Sequence, residues 1–296
     1  MKRVLLVGGS GQLGAEIRKR WGDCDVVAPA HAVLDLEDDA AIARAFDERR
    51  PEVVVNAAAF HNVDRCEQEV DRAFAVNALA VERLASKCAR DDVLFVTIST
   101  DYVFNGEATH PYDETDAAHP ISAYGTSKLA GEFLTLRLQS RAFVVRTCGL
   151  YGVRPSQSKG HTFIDRVITQ ARTGEPVHVV DNVTASPTYA GHLAQTLRAL
   201  IETNAYGLYH ACNVGPVTWF DFAAEALRQA GIAQRPEPIS SSQWKAAARR
   251  PRYSALANTA LTRIGIMLPT WQEGIAAYLH DRTTDALDDA RERRVP

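Results

Sequence analysis

Short runs of β-branched and other apolar residues alternate with longer segments of helical periodicity through the first half of the chain. The helical segments include DAAIARAFDERR and DRAFAVNALAVERLASKCA. Near-continuous apolar strands are typical of a parallel sheet that helices cover on both faces. The apolar runs read RVLLVGG, CDVVAPA, EVVVNAAA, VLFVTIST and AFVVRTC. This alternation predicts an α/β fold with a doubly wound, Rossmann-like parallel sheet.

The pattern loosens after GLYG at 149–152. A polar loop is expected over 153–161, followed by a helix in TFIDRVITQARTGE, a strand in VHVVDN, and then helices separated by loops rich in proline and serine. The final stretch is highly charged and has few apolar anchors, which favours a solvated helix or a frayed tail. The predicted organisation is a sheet domain over 1–152 with returning segments at about 177–213, a smaller mixed α/β region from 153–176 and 214–280, and a charged tail over 281–296.

Composition narrows the range of partners. The chain has 296 residues, an apolar fraction of 46% and a formal net charge of −3, so it can bury a core and offers no basic face to a nucleic acid. Its five cysteines are scattered without a CxxC or Cys/His cluster, which predicts reduced thiols in a cytoplasmic protein and no metal site. No apolar run approaches the roughly 20 residues that a membrane span requires. A small-molecule partner is the expectation that remains.

A glycine pattern stands at the first strand-to-helix junction. Gly8, Gly11 and Gly14 in VGGSGQLG let the backbone turn sharply, and Gln12 and Leu13 open the helix that follows. A pyrophosphate can approach such a turn and rest on the positive helix N-terminus. The alternative is a tight turn without a ligand. The position of the pattern favours dinucleotide binding.

The end of the second strand bears on the choice of cofactor. An acid there would hold the ribose hydroxyls of NAD, but residues 28–31 contain no carboxylate. The nearest, Asp35, is followed by Leu36 and is better placed for the adenine, so NADPH is favoured and NADH stays open. The third strand ends in Asn56 and small residues that leave room for the cofactor or simply pack against a helix: Ala57, Ala58 and Ala59.

A tyrosine and a lysine lie four residues apart in AYGTSKLAGE. Tyr124 and Lys128 therefore share one helix face and can both point into a cleft at the carboxyl edge of the sheet. A nearby ammonium favours the phenolate and lowers the pKa of a tyrosine. Thr100 stands where a buried strand ends and can hydrogen-bond a carbonyl beside the tyrosine, with Ser99 as the alternative hydroxyl.

Together these motifs resemble the extended short-chain dehydrogenase/reductase superfamily, and within it the dTDP-4-dehydrorhamnose reductase family along almost the whole chain. The narrower similarity lies in STDYVFNG followed by PYDETD, in AYGTSKLAGE, in GLYHACNVGPVTWFDFA, and in RPRYSALANTAL leading to LPTWQEGI. The resemblance implies reduction of the 4-keto group of a dTDP-linked 6-deoxyhexulose by a nicotinamide cofactor. The smaller mixed region would then bind the nucleotide-sugar substrate.

By position, the resemblance makes Thr100, Tyr124 and Lys128 the catalytic residues. Thr100 would polarise the carbonyl and Tyr124 would donate the proton, while Lys128 would lower the pKa of the phenol and bind the cofactor ribose. The substrate would be contacted by Ser99, Asp101, Tyr102 and Phe104. Asn77 would brace the active site near the cofactor, although an asparagine in this helix can also cap a neighbouring loop.

The chain departs from the family pattern at two places near the expected sugar site. The tryptophan usual after the VVRT strand is absent from residues 148–152, and DNVTASPT lacks the usual glutamine and glycine. These changes leave the sugar and the nucleotide open. The resemblance also allows a homodimer, and Glu16 is a candidate for a magnesium contact whose partners the sequence does not identify. The alternatives are a nucleotide-sugar epimerase and a non-catalytic NADP-binding regulatory subunit.

Overall fold

A six-stranded parallel sheet forms the centre of the protein in the computed structural model, which describes residues 1–154, 160–243 and 246–292, with side chains as far as 285. The strand order is β2-β1-β3-β4-β5-β8. The five predicted strands of the first half are all present. The strands of this sheet are β1 (Arg3–Val7), β2 (Asp25–Val27), β3 (Val53–Asn56), β4 (Leu94–Thr100), β5 (Ala142–Thr147) and β8 (Gly207–His210).

All neighbouring strands of this sheet pair in parallel, so their carboxyl ends meet at one edge. The register places Val7 beside Asn56, and Thr100 beside Thr147. The order reverses between β1 and β3, and open α/β sheets bind ligands outside the carboxyl ends at such a point. The doubly wound fold predicted from the sequence is confirmed.

Eleven α-helices are present in the described part of the chain, and residues 70–90 form one nearly continuous helical stretch. Within it, Ala75–Leu79 adopts π-helical geometry. The α-helices are α1 (Gln12–Arg20), α2 (Asp39–Arg49), α3 (Val63–Gln68), α4 (Val70–Phe74), α5 (Ala80–Arg90), α6 (Ala123–Leu138), α7 (Phe163–Arg172), α8 (Ala190–Leu200), α9 (Trp219–Gln229), α10 (Thr259–Arg263) and α11 (Trp271–Glu292).

The sheet has an apolar core on each face. On one face, Leu6 and Val55 pack with Ile17 of α1 and Leu193 of α8. On the opposite face, Leu5 and Val54 pack in a second core with Ile42 of α2 and Leu84 of α5. Successive side chains of a strand point to opposite faces of the sheet. Because both faces are covered by helices, every position is apolar and the strands read as continuous apolar runs.

The second half forms a smaller region built on two short sheets. β6 (His178–Val180) pairs in parallel with β10 (Glu237–Ile239), and β7 (Thr184–Ala185) pairs antiparallel with β9 (Val217–Thr218). The predicted helix in 162–175 and the strand in 177–182 are present. The predicted polar loop over 153–161 lies partly outside the described residues.

The predicted domain boundaries need correction at two points. β6 does not return to the large sheet but pairs with β10 and packs Val179 among side chains of α7 and α9. The return to the large sheet is made by α8 and β8. Conversely, α10 belongs with the large sheet, because Leu261 is buried in its core. An apolar run identifies a strand but does not reveal which strand it pairs with.

The predicted charged tail begins as a continuation of α11. Asp281 accepts a hydrogen bond from Tyr189 at 2.5 Å and pairs with Arg20, and Lys19 binds Asp285 at 2.5 Å. The first turns of the tail are therefore tied to α1 by charge rather than by apolar contacts. Among the described helices, none combines the length and apolar character needed to cross a membrane.

Candidate active site

The glycine turn joins β1 to α1 at the carboxyl edge of the sheet. Gly8 has φ +81°, a left-handed conformation that glycine adopts without strain, and its carbonyl accepts a hydrogen bond from Gly11 N at 3.0 Å. A Cβ on Gly14 would lie 2.3 Å from the Gly8 oxygen, so α1 starts in direct contact with the turn. No side chain caps this helix, which leaves its N-terminus available to an anion.

The neighbouring side chains divide between this turn and the core. Leu13 is buried in the core, so only its backbone faces the turn, whereas Gln12 is half-buried near Gly152. The sequence analysis missed Gly9, where a Cβ would lie 2.4 Å from the Ala28 Cβ. The small residue at the end of β2 was the signal for that close approach.

The end of β3 lies against the glycine turn. A Cβ on Gly8 would stand 2.6 Å from Ala58 N, and the Asn56 side chain accepts a hydrogen bond from the same nitrogen at 3.2 Å. Ala57, Ala58 and Ala59 are half-exposed. The glycine turn and the alanine segment after β3 thus form one surface of small residues that ligand atoms can approach closely.

Asp35 and Leu36 differ in whether their side chains are accessible to a cofactor. Asp35 is exposed and accepts a hydrogen bond from Glu37 N at 3.0 Å, whereas Leu36 is buried in the core with Leu5 and Val7. The Leu36 side chain is therefore a packing residue, and the expectation that it contacts the cofactor can apply only to its backbone.

Helix α6 brings Tyr124 to the same edge. Ser122 caps the helix by accepting from Gly125 N at 3.1 Å, and the Glu67 carboxylate accepts from Ala123 N at 2.8 Å. A Cβ on Gly125 would come within 2.1 Å of the Tyr102 carbonyl oxygen, so α6 lies directly on the turn that follows β4. The ring of Tyr124 meets that of Tyr102 edge to face, with centroids 5.9 Å apart. Glycine at 125 is what permits this closeness.

Thr100 lies beside the phenol, as predicted. Burial raises the pKa of Tyr124 above its ordinary value, and the nearby Thr100 hydroxyl opposes that shift by hydrogen bonding. Thr100 also accepts a hydrogen bond from Tyr102 N at 3.2 Å. The threonine and the tyrosine thus form one hydroxyl pair at the end of β4.

The Lys128 ammonium is held by a backbone carbonyl. It donates to the Ile98 carbonyl oxygen at 2.7 Å, and the lowering of the Tyr124 pKa by this lysine stays a prediction. Burial lowers the pKa of Lys128 to about 8, partly offset by the charge of Glu132. Helical spacing places Tyr124 and Lys128 on one side of α6, but the hydrogen bond to the Ile98 carbonyl sets the direction of the ammonium.

Three expected substrate contacts are buried in the protein instead. The Ser99 hydroxyl donates to Glu132, on the face of the sheet that α6 covers. Asp101 is only 4% exposed, and Phe104 is fully buried, with its ring stacked on Tyr112 at a centroid distance of 4.1 Å. Tyr102 alone of the four is half-exposed. The side chains of adjacent residues at a strand end point in different directions, and a sequence motif does not show these directions.

Asn77 links two parts of the site. Its side chain accepts from Phe60 N at 2.9 Å and donates to the Phe60 oxygen at 3.0 Å and to Ser127 Oγ at 3.1 Å. Glycine at 131 allows α6 to pack closely on the π-helical turn, since a Cβ there would lie 2.3 Å from the Asn77 backbone oxygen. The residue therefore both fixes the loop after β3 and braces α6 beside Lys128.

An ion pair between the two regions was not foreseen. Arg250, in the segment after β10, binds Asp64 of α3 at 2.7 Å, and Asp64 also accepts from Ala248 N at 2.9 Å. Arg250 begins the stretch RPRYSALANTAL quoted above, but Asp64 lies in no quoted motif, and the sequence carries no local sign that the two residues meet. In the described part of the chain, no cluster of histidine, cysteine, aspartate or glutamate could hold a metal ion.

The chain is similar to known reductases of dTDP-linked sugars along most of its length. The dTDP-4-dehydrorhamnose reductase of Aggregatibacter actinomycetemcomitans is 33% identical, over 93% of this chain and 97% of that protein. The dTDP-4-keto-6-deoxy-D-glucose reductase of Streptomyces niveus is 34% identical, over 89% and 91% respectively. The crystal structure of dTDP-4-dehydrorhamnose reductase from Bacillus anthracis, in complex with NADP, matches with a TM-score of 0.89 and 33% identity, over 95% of this chain and 99% of that one.

The family comparison covers nearly the whole chain. The family model described as the RmlD substrate binding domain matches residues 1–284, which include the glycine turn, the hydroxyl pair and the smaller C-terminal region. The chain therefore belongs to the RmlD substrate binding domain family.

Proposed function

We propose that the protein is an NADPH-dependent reductase of a dTDP-linked 4-keto-6-deoxy sugar, most simply of dTDP-4-dehydrorhamnose to dTDP-L-rhamnose. The observation that carries this proposal is the placement of an uncapped glycine turn and the Thr100–Tyr124 hydroxyl pair at one carboxyl edge of the sheet. The relatives named as reductases of dTDP-linked keto sugars support it.

The cofactor fits the residues at the glycine turn. The close approaches at Gly8 and Gly14 leave backbone and no side chain where a pyrophosphate would rest, and the α1 N-terminus attracts its charge. The small side chains after Asn56 give the rest of the cofactor room. Bound NADPH supplies the hydride. The NADP complex of the Bacillus anthracis relative favours NADPH over NADH.

Tyr124 acts as the general acid. Because burial keeps its pKa above the ordinary value, the phenol holds its proton at neutral pH and can deliver it to the oxygen of the reduced carbonyl. Thr100 donates a hydrogen bond to that oxygen and stabilises the charge that develops on it. Lys128, with a pKa of about 8, carries a positive charge at neutral pH and binds the cofactor ribose.

Tyr124→Phe and Thr100→Ala test the assignment by NADPH oxidation with a panel of nucleotide-linked 4-keto sugars. Tyr124→Phe should lose at least about a hundredfold in kcat, the scale of a lost general acid. Tyr206→Phe, which removes a half-buried phenol bonded to Asn204, is the matched control and should keep wild-type turnover. Unchanged turnover in Tyr124→Phe would refute the catalytic role, and inversion at a sugar carbon without net NADPH oxidation would identify an epimerase.

A further inference from the structure

A buried carboxyl lies directly behind the hydroxyl pair. Asp101 is 4% exposed, and Thr100 Oγ1 lies 3.0 Å from its Oδ1. Its Oδ2 accepts from the Cys148 thiol at 3.1 Å, and the Ser254 hydroxyl hydrogen-bonds to the same carboxyl. Every one of these partners is a neutral group. A carboxylate without a cationic partner is expensive to bury.

The hydrogen bonds of Thr100 constrain the position of one proton. A hydroxyl has one hydrogen to donate and two lone pairs to accept with. One lone pair of Thr100 takes the Tyr102 N–H at 3.2 Å. If Asp101 is ionised, the Thr100 hydrogen must go to the carboxylate, and the hydroxyl can then only accept from Tyr124. If Asp101 is neutral, it can donate to the second lone pair, and the Thr100 hydrogen is free for another oxygen.

Only the second arrangement lets Thr100 donate to a substrate carbonyl. We propose that Asp101 is held as a neutral carboxylic acid that donates to Thr100 and thereby turns the threonine hydroxyl toward the substrate oxygen. Asp101 is then a positioning residue, since it acts through Thr100. Its Oδ2 remains free to accept from Cys148, and Ser254 hydrogen-bonds to the same carboxyl, so both oxygens of the group have a partner.

The surroundings of Asp101 support the neutral form. Titratable groups that face it from the packed elements are Tyr102, Tyr124, Cys148 and Cys212, all uncharged at neutral pH because burial raises the pKa of each. Burial likewise raises the pKa of Asp101 itself, against its hydrogen bonds. The positive charge of Arg250 acts on Tyr102, and Arg250 itself pairs with the Asp64 carboxylate.

The inference deepens the proposed function and rests on it. In the reduction, the hydride goes to the carbonyl carbon and the proton of Tyr124 goes to the oxygen. Asp101 keeps its proton throughout, so it adds no step to the balance. It sets only the direction of the hydrogen bond through Thr100.

Infrared spectroscopy tests the protonation state without reference to activity. The difference spectrum between the wild type and Asp101→Asn at neutral pH should contain the carbonyl stretch of a protonated carboxylic acid, lost in the variant. A difference band of an ionised carboxylate in its place would overturn the inference. This readout does not depend on the substrate, the cofactor or the catalytic assignment.

Kinetics supply the second test. An asparagine amide can donate to Thr100 as the neutral acid does, so Asp101→Asn should keep kcat within about threefold, whereas Asp101→Ala should lose about tenfold or more. If Asp101 is instead a carboxylate, the amide reverses the hydrogen bond and Asp101→Asn should fall as far as Asp101→Ala, which would refute the inference. Should Asp101→Ala fail to fold, the asparagine variant and the infrared band still decide. Wild-type turnover in Thr100→Ala would refute the role of Thr100 and with it the positioning role of Asp101. No NADPH oxidation by the wild type with any nucleotide-linked 4-keto sugar would refute the proposed function and leave the infrared result standing.

Discussion

Arg146 and Glu132 form a bidentate ion pair beneath the active site, with Nη2 to Oε2 at 2.6 Å and Nε to Oε1 at 2.9 Å. Their side chains are 5% and 4% exposed, and Ser99 donates to the same carboxylate. Glu132 follows Lys128 by one helical turn, and its charge raises the pKa of that lysine. The pair therefore joins β5 to α6 and influences the charge of the predicted catalytic lysine.

Breaking this pair from one side should be costly. Glu132→Gln leaves the Arg146 guanidinium buried without a counter-charge, and the free energy of unfolding should fall by about 3 to 5 kcal/mol. The double variant Glu132→Leu with Arg146→Met removes both charges and should lose much less. Urea denaturation of the three proteins measures the difference. Equal losses of stability in the single and double variants would show that the unpaired charge of Arg146 is not the cause of the loss.

Lys128→Met should change how stability depends on pH. The pKa of Lys128 is lowered from 10.5 to about 8, so between these values the unfolded chain binds a proton that the folded chain has released. The wild type should therefore gain stability relative to the variant as pH rises through this window, by on the order of 3 kcal/mol.

Denaturation of both proteins below and above this window gives the result. Lys87→Met removes a lysine of α5 that pairs with Asp91, and serves as the control. It should not reproduce the dependence of the stability difference on pH. A difference between wild type and Lys128→Met that stays constant with pH would contradict the lowered pKa.

Gly14→Ala should weaken cofactor binding. The new methyl group would lie 2.3 Å from the Gly8 oxygen and must push α1 away from the turn, at a cost of about 1 to 3 kcal/mol in stability. We expect NADPH affinity to fall at least about tenfold, since about 1.4 kcal/mol of lost binding energy suffices for that. Fluorescence titration with NADPH measures it. Gly22→Ala, where a Cβ meets nothing within 4 Å, should bind as the wild type does.

Asn77→Ala should destabilise the site and slow the reaction together. It removes hydrogen bonds to Phe60 and Ser127, each worth about 1 kcal/mol, so a loss of about 3 kcal/mol is expected. Because the bonds hold the loop after β3 against α6, kcat should drop as well. Thermal denaturation and NADPH oxidation check the two effects. Asn204→Ala, at an exposed position bonded to Tyr206, should leave both unchanged, and a neutral Asn77→Ala would show that packing alone orients α6.

Local patterns predicted the parts of the protein that depend on neighbours in sequence. The apolar runs identified β1 to β5, the glycines identified the first turn, and the spacing of Tyr124 and Lys128 placed them on one helix. Contacts between distant segments were beyond such patterns. Glu132 and Arg146 belong to different elements, and nothing local reveals that a charge on one will meet a charge on the other.

The sequence by itself determined the strands β1 to β5, the glycine turn and the shared helix face of Tyr124 and Lys128, because periodicity and backbone preference act over a few residues. Only the tertiary structure decided that Asp101 lies behind Thr100 instead of in the cleft, that Lys128 donates to a backbone carbonyl, and that β6 pairs with β10. Those outcomes depend on which buried polar groups must satisfy one another once the elements pack, and that requirement arises only between segments far apart in the chain.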